Sequence, residues 1–268
     1  MPLVVCPTPI GNLEDVTLRT LRELAEADLV LCEDTRRTKI LLDRHEVSAR
    51  LLSFHPHNEA RRTGEILPRL AAGERIALAS DAGLPGVNDP GARLVAAALE
   101  RGLPVTVLPG PSAVETALVA SGLVGDRYVF LGYLPRTRGA LDRLWAESRA
   151  WTWPAVAFES PRRLPASLAS LAAADRERPV AVCRELTKRF EEVVRGTAGE
   201  LADRFAEPPR GEVTLVVGGA SESAGVDEEA AFEALEALLA AGASRRGAAD
   251  VVARLTGVAR NRLYRGSL

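Results

Sequence analysis

Residues 75–91, RIALASDAGLPGVNDPG, carry a short apolar run into a turn of small residues and then into a helix start. An apolar run of this length, bounded by turn residues, reads as a buried strand. Gly83, Gly86 and Gly91 permit backbone angles closed to other residues, and Pro85 and Pro90 stiffen the turn. Asp81 is left either to orient a polar group of a ligand or to cap the turn. Asn88 and Asp89 ahead of Pro90 predict the first turn of a helix ending near Gly102, which gives Asp89 a capping role.

The same unit recurs along the chain. LVVC, ADLVLC, PVTVLP, YVFLGY, PAVAFE, PVAVCR and EVTLVVGG join RIALAS to make eight expected strands, most followed by a helical pattern. That order predicts an α/β protein with a largely parallel sheet. Asp15 or Thr17 caps a helix bearing Leu18, Leu21 and Leu24, and Ser112 with Glu115 fits a capping box. The segment SGLVGD at 121–126 interrupts the pattern, so two α/β domains are expected, over 1–120 and 121–220. Beyond them, 225–268 reads as a helical appendage, with helices over 227–241 and 244–255 and a third past Thr256 and Gly257. Three short helices with a basic last pair resemble a helix-turn-helix module. Ala248, Val251, Val252 and Leu255 suit its buried face.

A net charge of −2 argues against a protein coated throughout by nucleic acid. The distribution is uneven: residues 221–242 hold six acidic residues and no Lys or Arg, whereas 243–268 hold six Arg and one Asp. With 47% hydrophobic and 26% charged residues the 268-residue chain has the composition of a folded globular protein. It has no run of some 18 apolar residues and no signal-like start, so a cytoplasmic protein without a membrane span is expected. Cys6, Cys32 and Cys183 are far apart and read as buried thiols.

Four turns after strands are dominated by Gly, Pro and small polar residues: CPTPIGNLED, ASDAGLPGVNDPG, LPGPSAVE and FESPRR. Ligands of open α/β sheets bind beyond the carboxyl ends of strands, so these turns are expected to meet around one pocket. Neither GxxxxGK[ST] nor GxGxxG occurs, which removes support from nucleotide hydrolysis and ordinary hydride transfer. His45, His55 and His57 lack a second ligand cluster at zinc spacing, and no metal is expected. His55 and His57 either share a strand face, line a cleft beside Asn58 and Glu59, or are structural. In CEDTRRTK at 32–39, cations at a helix start oppose the macrodipole, so an RNA phosphate, a carboxylate partner or internal pairing of Asp34 with Arg37 must favour them.

Taken together, PTPIGNLED (7–15), EDTR (33–36), HNE (57–59), Ser80–Gly91, PGPSA (109–113), ESPR (159–162), RELTK (184–188) and 211–218 resemble the tetrapyrrole (corrin/porphyrin) methylase superfamily. Within it they are similar to the bacterial branch that methylates a cytidine ribose of 16S rRNA. The resemblance implies a two-domain fold with mixed sheets, S-adenosylmethionine in the interdomain cleft, a homodimer, and 16S rRNA or the small ribosomal subunit as partner. It places donor contacts at Pro7, Thr8, Asp81, Ala82, Gly83, Leu84, Ser112, Ala113, Phe158, Glu159, Leu186 and Thr214. Glu33, Asp34 and His57 are candidates for activating the ribose hydroxyl, and orientation without a dedicated base stays open. Arg36, Arg37, Arg162, Lys188, Arg245, Arg246, Arg260 and Arg262 are candidate RNA contacts, with Arg265 beside them. Two positions depart from the family pattern: Leu84 stands where SDAGTP has threonine, and Phe158 where tyrosine is common. Methylation of a tetrapyrrole carbon, or an RNA- or ribosome-binding protein without catalysis, are the other readings.

Overall fold

A computed structural model describes residues 3–220, 228–256 and 258–266; Asp227 and Gly257, at expected helix boundaries, lie outside the described residues. All eight expected strands form, and two further ones join them. The first sheet is parallel throughout, in the order β3 (Leu51–Ser53), β2 (Leu29–Cys32), β4 (Ile76–Ala79), β1 (Leu3–Cys6), β5 (Val105–Val107). The inner strands are buried along their whole length, as strands covered on both faces must be. Helices α1 (Leu18–Glu26), α2 (Thr35–Arg44), α3 (Glu59–Ala71) and α4 (Ala92–Glu100) connect them. Thr17 caps α1 by accepting the Thr20 amide.

The second sheet is mixed, as the resemblance implies, and departs from the largely parallel pairing read from the strand–helix order. Its order is β6 (Val129–Tyr133), β7 (Ala155–Glu159), β10 (Val213–Val217), β8 (Pro179–Arg184), β9 (Glu192–Thr197), and only β6 and β7 pair in parallel. The chain reverses through the tight turn 185–191 into β9, and β10 then inserts antiparallel between β7 and β8. Helix α5 (Ala113–Ser121) packs here, with Val114, Ala117 and Leu118 against Val156, Ala181, Cys183 and Val216. The crossing between the sheets therefore runs through 108–112, one helix before SGLVGD. Helices α6 (Arg138–Ser148), α7 (Leu164–Ala174) and α8 (Ala198–Arg204) complete this half around the buried Trp145.

Helices α9 (Glu228–Ala240), α10 (Arg245–Thr256) and α11 (Arg260–Gly266) enclose a separate core of Ala231, Leu235, Ala248, Ala249, Val252, Val258 and Leu263. Val251 and Leu255 are not part of it: they are 36% and 80% exposed. The buried stripe of α10 runs through Ala248, Ala249 and Val252, and residues 251 and 255, one turn apart, share the adjacent face.

Two caps also form differently. Helix α4 begins at Ala92 behind Gly91, with no side-chain cap from Asn88 or Asp89. Gly91 has φ 131° and donates its N–H to Glu59 Oε1 at 2.9 Å. At α5 the Ser112 hydroxyl donates directly to the Glu115 carboxylate, so no capping box forms.

Candidate active site

The carboxyl ends of β2, β4, β5, β6 and β7 open on one cavity of about 1130 Å³. Its lining joins the Ser80–Gly91 turn and residues 108–115 of the first half to Phe130, Tyr133, Phe158–Pro161, Leu186 and 211–214 of the second. Because β10 is antiparallel to β7 and β8, its start faces their ends: Val213 pairs with both Glu159 and Arg184. Glu212 and Thr214 thereby reach the same rim.

All the donor contacts implied by the resemblance line this cavity except Pro7 and Thr8, which brace its loops from behind. Thr8 exchanges two backbone hydrogen bonds with Gly83, both 2.9 Å, and its hydroxyl donates to Ser80 O. The Ser80 hydroxyl in turn donates to Gly83 O at 2.8 Å. Gly83 takes φ 80°, an angle that favours glycine. Pro7 lies against Gly110 so closely that a Cβ there would sit 2.5 Å from its Cγ. The Gly11 backbone abuts Leu186, Thr187 and Lys188, and the Asn12 N–H donates to the Thr187 hydroxyl at 3.0 Å. Thr187 holds φ 65°, strained for a β-branched residue. Loops distant in sequence are therefore stacked on one another.

Three carboxylates of the first half, Glu33, Asp81 and Asp89, line one wall. Asp81 accepts the Asp34 N–H at 3.0 Å and the Arg37 guanidinium at 3.1 Å. Burial, with Asp81 beside it, pushes the Glu33 carboxyl up. Burial also pushes Asp89 up to about 7, helped by Glu33 and Asp81. The opposite wall is apolar and aromatic. Phe158 meets Phe130 and Tyr133 edge-on, with centroids 5.2 and 5.6 Å apart, and the Tyr133 side chain lines the cavity beside the position where Phe158 lacks a hydroxyl. Leu84 turns partly into the first core.

The three candidates for activating a hydroxyl separate clearly. Glu33 lines the cavity. Asp34 caps α2 and is held at about 2 by hydrogen bonds from Arg36, to which it also pairs at 2.7 Å. Its expected pairing with Arg37 is replaced by Arg37–Asp81, so internal carboxylates favour the cations at this helix start. His57 is exposed in the loop after β3, edge-on to His55 at 5.8 Å, and outside the cavity lining. Glu159 is buried with both oxygens engaged: Oε1 accepts the Ser160 N–H at 2.7 Å, and Oε2 accepts the Ser167 hydroxyl at 2.6 Å and lies 3.2 Å from Arg163.

Among the proposed RNA contacts, Arg37 lines the cavity, while Lys188 bridges Glu185 and Glu212 at 3.0 and 2.9 Å. Arg36 and Arg162 are exposed and outside the lining, each next in sequence to a lining residue, Arg37 and Pro161. Arg245, Arg246, Arg260, Arg262 and Arg265 are exposed on the helical appendage, Arg260 in contact with Asp250. Sequence reasoning did not single out Tyr133 or Phe130, although both lie near a strand exit, nor Glu212, which only the antiparallel β10 brings here. Among the described residues no group of three metal-ligating side chains converges.

A family model for Tetrapyrrole (Corrin/Porphyrin) Methylases matches residues 2–202. The chain belongs to this methylase family. The methylase is 45% identical over 267 residues to Ribosomal RNA small subunit methyltransferase I of Mesorhizobium japonicum, covering 98% of this chain and 90% of that relative. It is 44% identical to the protein of the same name from Micromonospora olivasterospora, over 98% of this chain and 85% of the relative. The relative of that name from Thermotoga maritima is 42% identical, over 81% and 98%. In fold, the methylase is similar to the uroporphyrin-III-C-methyltransferase of Thermus thermophilus, at TM-score 0.57 and 22% identity over 81% of this chain and 94% of that one. Cobalt precorrin-4 methyltransferase is similar at 0.59 and 20%, with the same coverage.

Proposed function

We propose that this methylase transfers a methyl group from S-adenosylmethionine to small-subunit ribosomal RNA, at the ribose 2′-hydroxyl of a cytidine. The carrying observation is the shared cavity: loops with the specific sequences of this branch converge on it, and relatives 42–45% identical are small-subunit rRNA methyltransferases by name. Its volume exceeds the roughly 300–1,000 Å³ of a typical small-ligand pocket, leaving space for a donor and an entering nucleoside.

The lining fits the donor. Glu33, with Asp89 as it ionises near pH 7, sets a negative potential that suits a cation, Asp81 being shared with Arg37, and the backbone at Ala82–Leu84 and Ser112–Ala113 is open to close approach. Bound S-adenosylmethionine supplies an electrophilic methyl group on a sulfonium. Ile10, Val114, Phe130, Phe158 and Leu186 exclude water from the site. Of Glu33, Asp34 and His57, Glu33 is the one placed to accept a hydroxyl proton, and its raised affinity for protons makes it a stronger base than an ordinary carboxylate. The lining disfavours a polycarboxylate tetrapyrrole, because its cation Arg37 is already paired with Asp81.

Of the expected domains at 1–120, 121–220 and 225–268 we move the first boundary to 108–112, because α5 packs on the second sheet, and we infer a homodimer working in the cytoplasm; among the described residues no helix is long and apolar enough to cross a membrane. Ribose-methylation mapping of rRNA from a deletion strain tests the function. One small-subunit cytidine should lose its 2′-O-methyl group and regain it on complementation. An unchanged map refutes the assignment.

A further inference from the structure

A second cavity, of about 340 Å³, opens beside the first and is lined by Pro135, Arg136, Arg138, Leu141, Arg163 and Ser167, among others. It lies where the parallel neighbours β6 and β7 hand over to α6 and α7. Its wall toward the active-site cavity is one hydrogen bond thick, since Ser167 on this side donates to Glu159 on the other at 2.6 Å. Arg163 ties the floor together, donating to Leu134 O at 3.0 Å and Pro135 O at 2.6 Å, with its charge answered by Glu159. The rim cations are not so engaged. Arg136 is exposed and has no ion-pair or hydrogen-bond partner among the described residues. Arg138 is 89% exposed and lies 3.7 Å from Asp142, a separation and exposure at which a pair contributes little.

We propose that this cavity holds a backbone phosphate of the RNA strand whose nucleoside occupies the active site. The proposal rests on the rRNA reading above and adds the path of the strand. The active-site cavity wall carries Glu33 and Asp89, while its cation, Arg37, is already paired with Asp81, as Glu212 is with Lys188. Among the described residues it therefore offers a phosphodiester no open positive charge, so only the nucleoside enters and the flanking backbone runs outside. Guanidinium groups with open forks, next door and across a thin wall, supply the complementary charge.

The test is RNA binding by the full-length protein as a function of salt, using a small-subunit rRNA fragment, with S-adenosylmethionine titrated in parallel. Arg136→Gln/Arg138→Gln should weaken the RNA complex about tenfold and reduce the log–log salt slope by about 0.7, as expected for the loss of one single-strand phosphate contact. Donor affinity should stay at the parent value, which also reports an intact fold, and Arg136→Lys/Arg138→Lys should recover the slope. Equal affinity and slope in parent and Gln variant overturn the proposal while leaving the rRNA assignment standing. A parent protein that binds the donor and neither binds nor methylates rRNA overturns both. Weakened binding to assembled subunits with unchanged binding to naked RNA overturns it in favour of a ribosomal-protein contact.

Discussion

Arg37 holds Asp81 Oδ2 at 3.1 Å while Asp81 Oδ1 accepts the backbone N–H of Asp34 at 3.0 Å. The carboxylate is thus fixed against the α2 start before any ligand arrives, and its charge faces the cavity. Asp81→Asn keeps the shape and removes the charge. The expected result is a weakening of S-adenosylmethionine binding by about 1.5–3 kcal/mol, the range for hydrogen bonds to charged groups. The neutral product S-adenosylhomocysteine should lose less. Calorimetric titration of both ligands checks this, and equal affinity for parent and variant removes Asp81 from the donor site.

Asp89 gives the cavity a pH dependence. Burial, with Glu33 and Asp81 nearby, raises it to about 7, so it becomes negative only as the pH passes neutrality. Affinity for the cationic donor should therefore rise between pH 6 and 8 in the parent and rise less in Asp89→Asn. Stability moves the other way. The unfolded chain ionises near pH 4, as an ordinary aspartate does, whereas the fold keeps the proton up to about 7. The folded state binds more protons across that window, so the parent loses stability as pH climbs through it. Asp89→Asn should gain on the parent in thermal melts from pH 4 to pH 7, with no further gain above. Parallel melting curves at every pH would contradict this account.

The roles of the three hydroxyl-activating candidates divide in the same way. Glu33→Gln should lower kcat by about 10²-fold, within the usual range for a general base, with a smaller effect on donor binding. His57→Ala should change kcat little, because the side chain is exposed and outside the cavity lining. Because burial raises the Glu33 carboxyl, the parent rate should fall off on the acid side above the ordinary glutamate range. A single-turnover assay in which His57→Ala fails and Glu33→Gln does not would reverse the assignment.

The parts of this molecule legible in the sequence are those fixed by local chemistry. Val- and Leu-rich runs gave their strands, and Gly83, Gly86 and Gly91 marked the tight loop at the cavity because few other residues tolerate its angles. The short β3 and the half-buried β9 escaped because neither Leu51–Ser53 nor Glu192–Thr197 carries a continuous apolar run. Glu212 could not be placed, since its position depends on β10 running antiparallel between β7 and β8. Pairing direction is a tertiary outcome that no local pattern encodes. Glu159 shows the same limit: it lines the cavity, as its motif implies, but its partners were not legible. Its oxygens accept from Ser160 and Ser167 and face Arg163, and only the packing of α7 against β7 brings Ser167 to it.

The helical appendage is the remaining test of charge placement. Its core is its own, and the cations of α10 and α11 point outward around it. They are not equivalent. Arg260 contacts Asp250, so part of its charge is already answered within the appendage. Arg245 and Arg246 open α10, exposed and without an acidic partner among the described residues. An RNA strand should therefore gain more from the latter pair. Arg245→Gln/Arg246→Gln is expected to flatten the salt slope of rRNA binding by about 1.5, and Arg260→Gln alone by less than about 0.7, the value for one full single-strand phosphate contact. Filter binding across a salt series resolves the two. Slopes that match the parent in both variants would show that the appendage faces something other than RNA phosphate, and would leave RNA recognition to the cations around the cavity mouth.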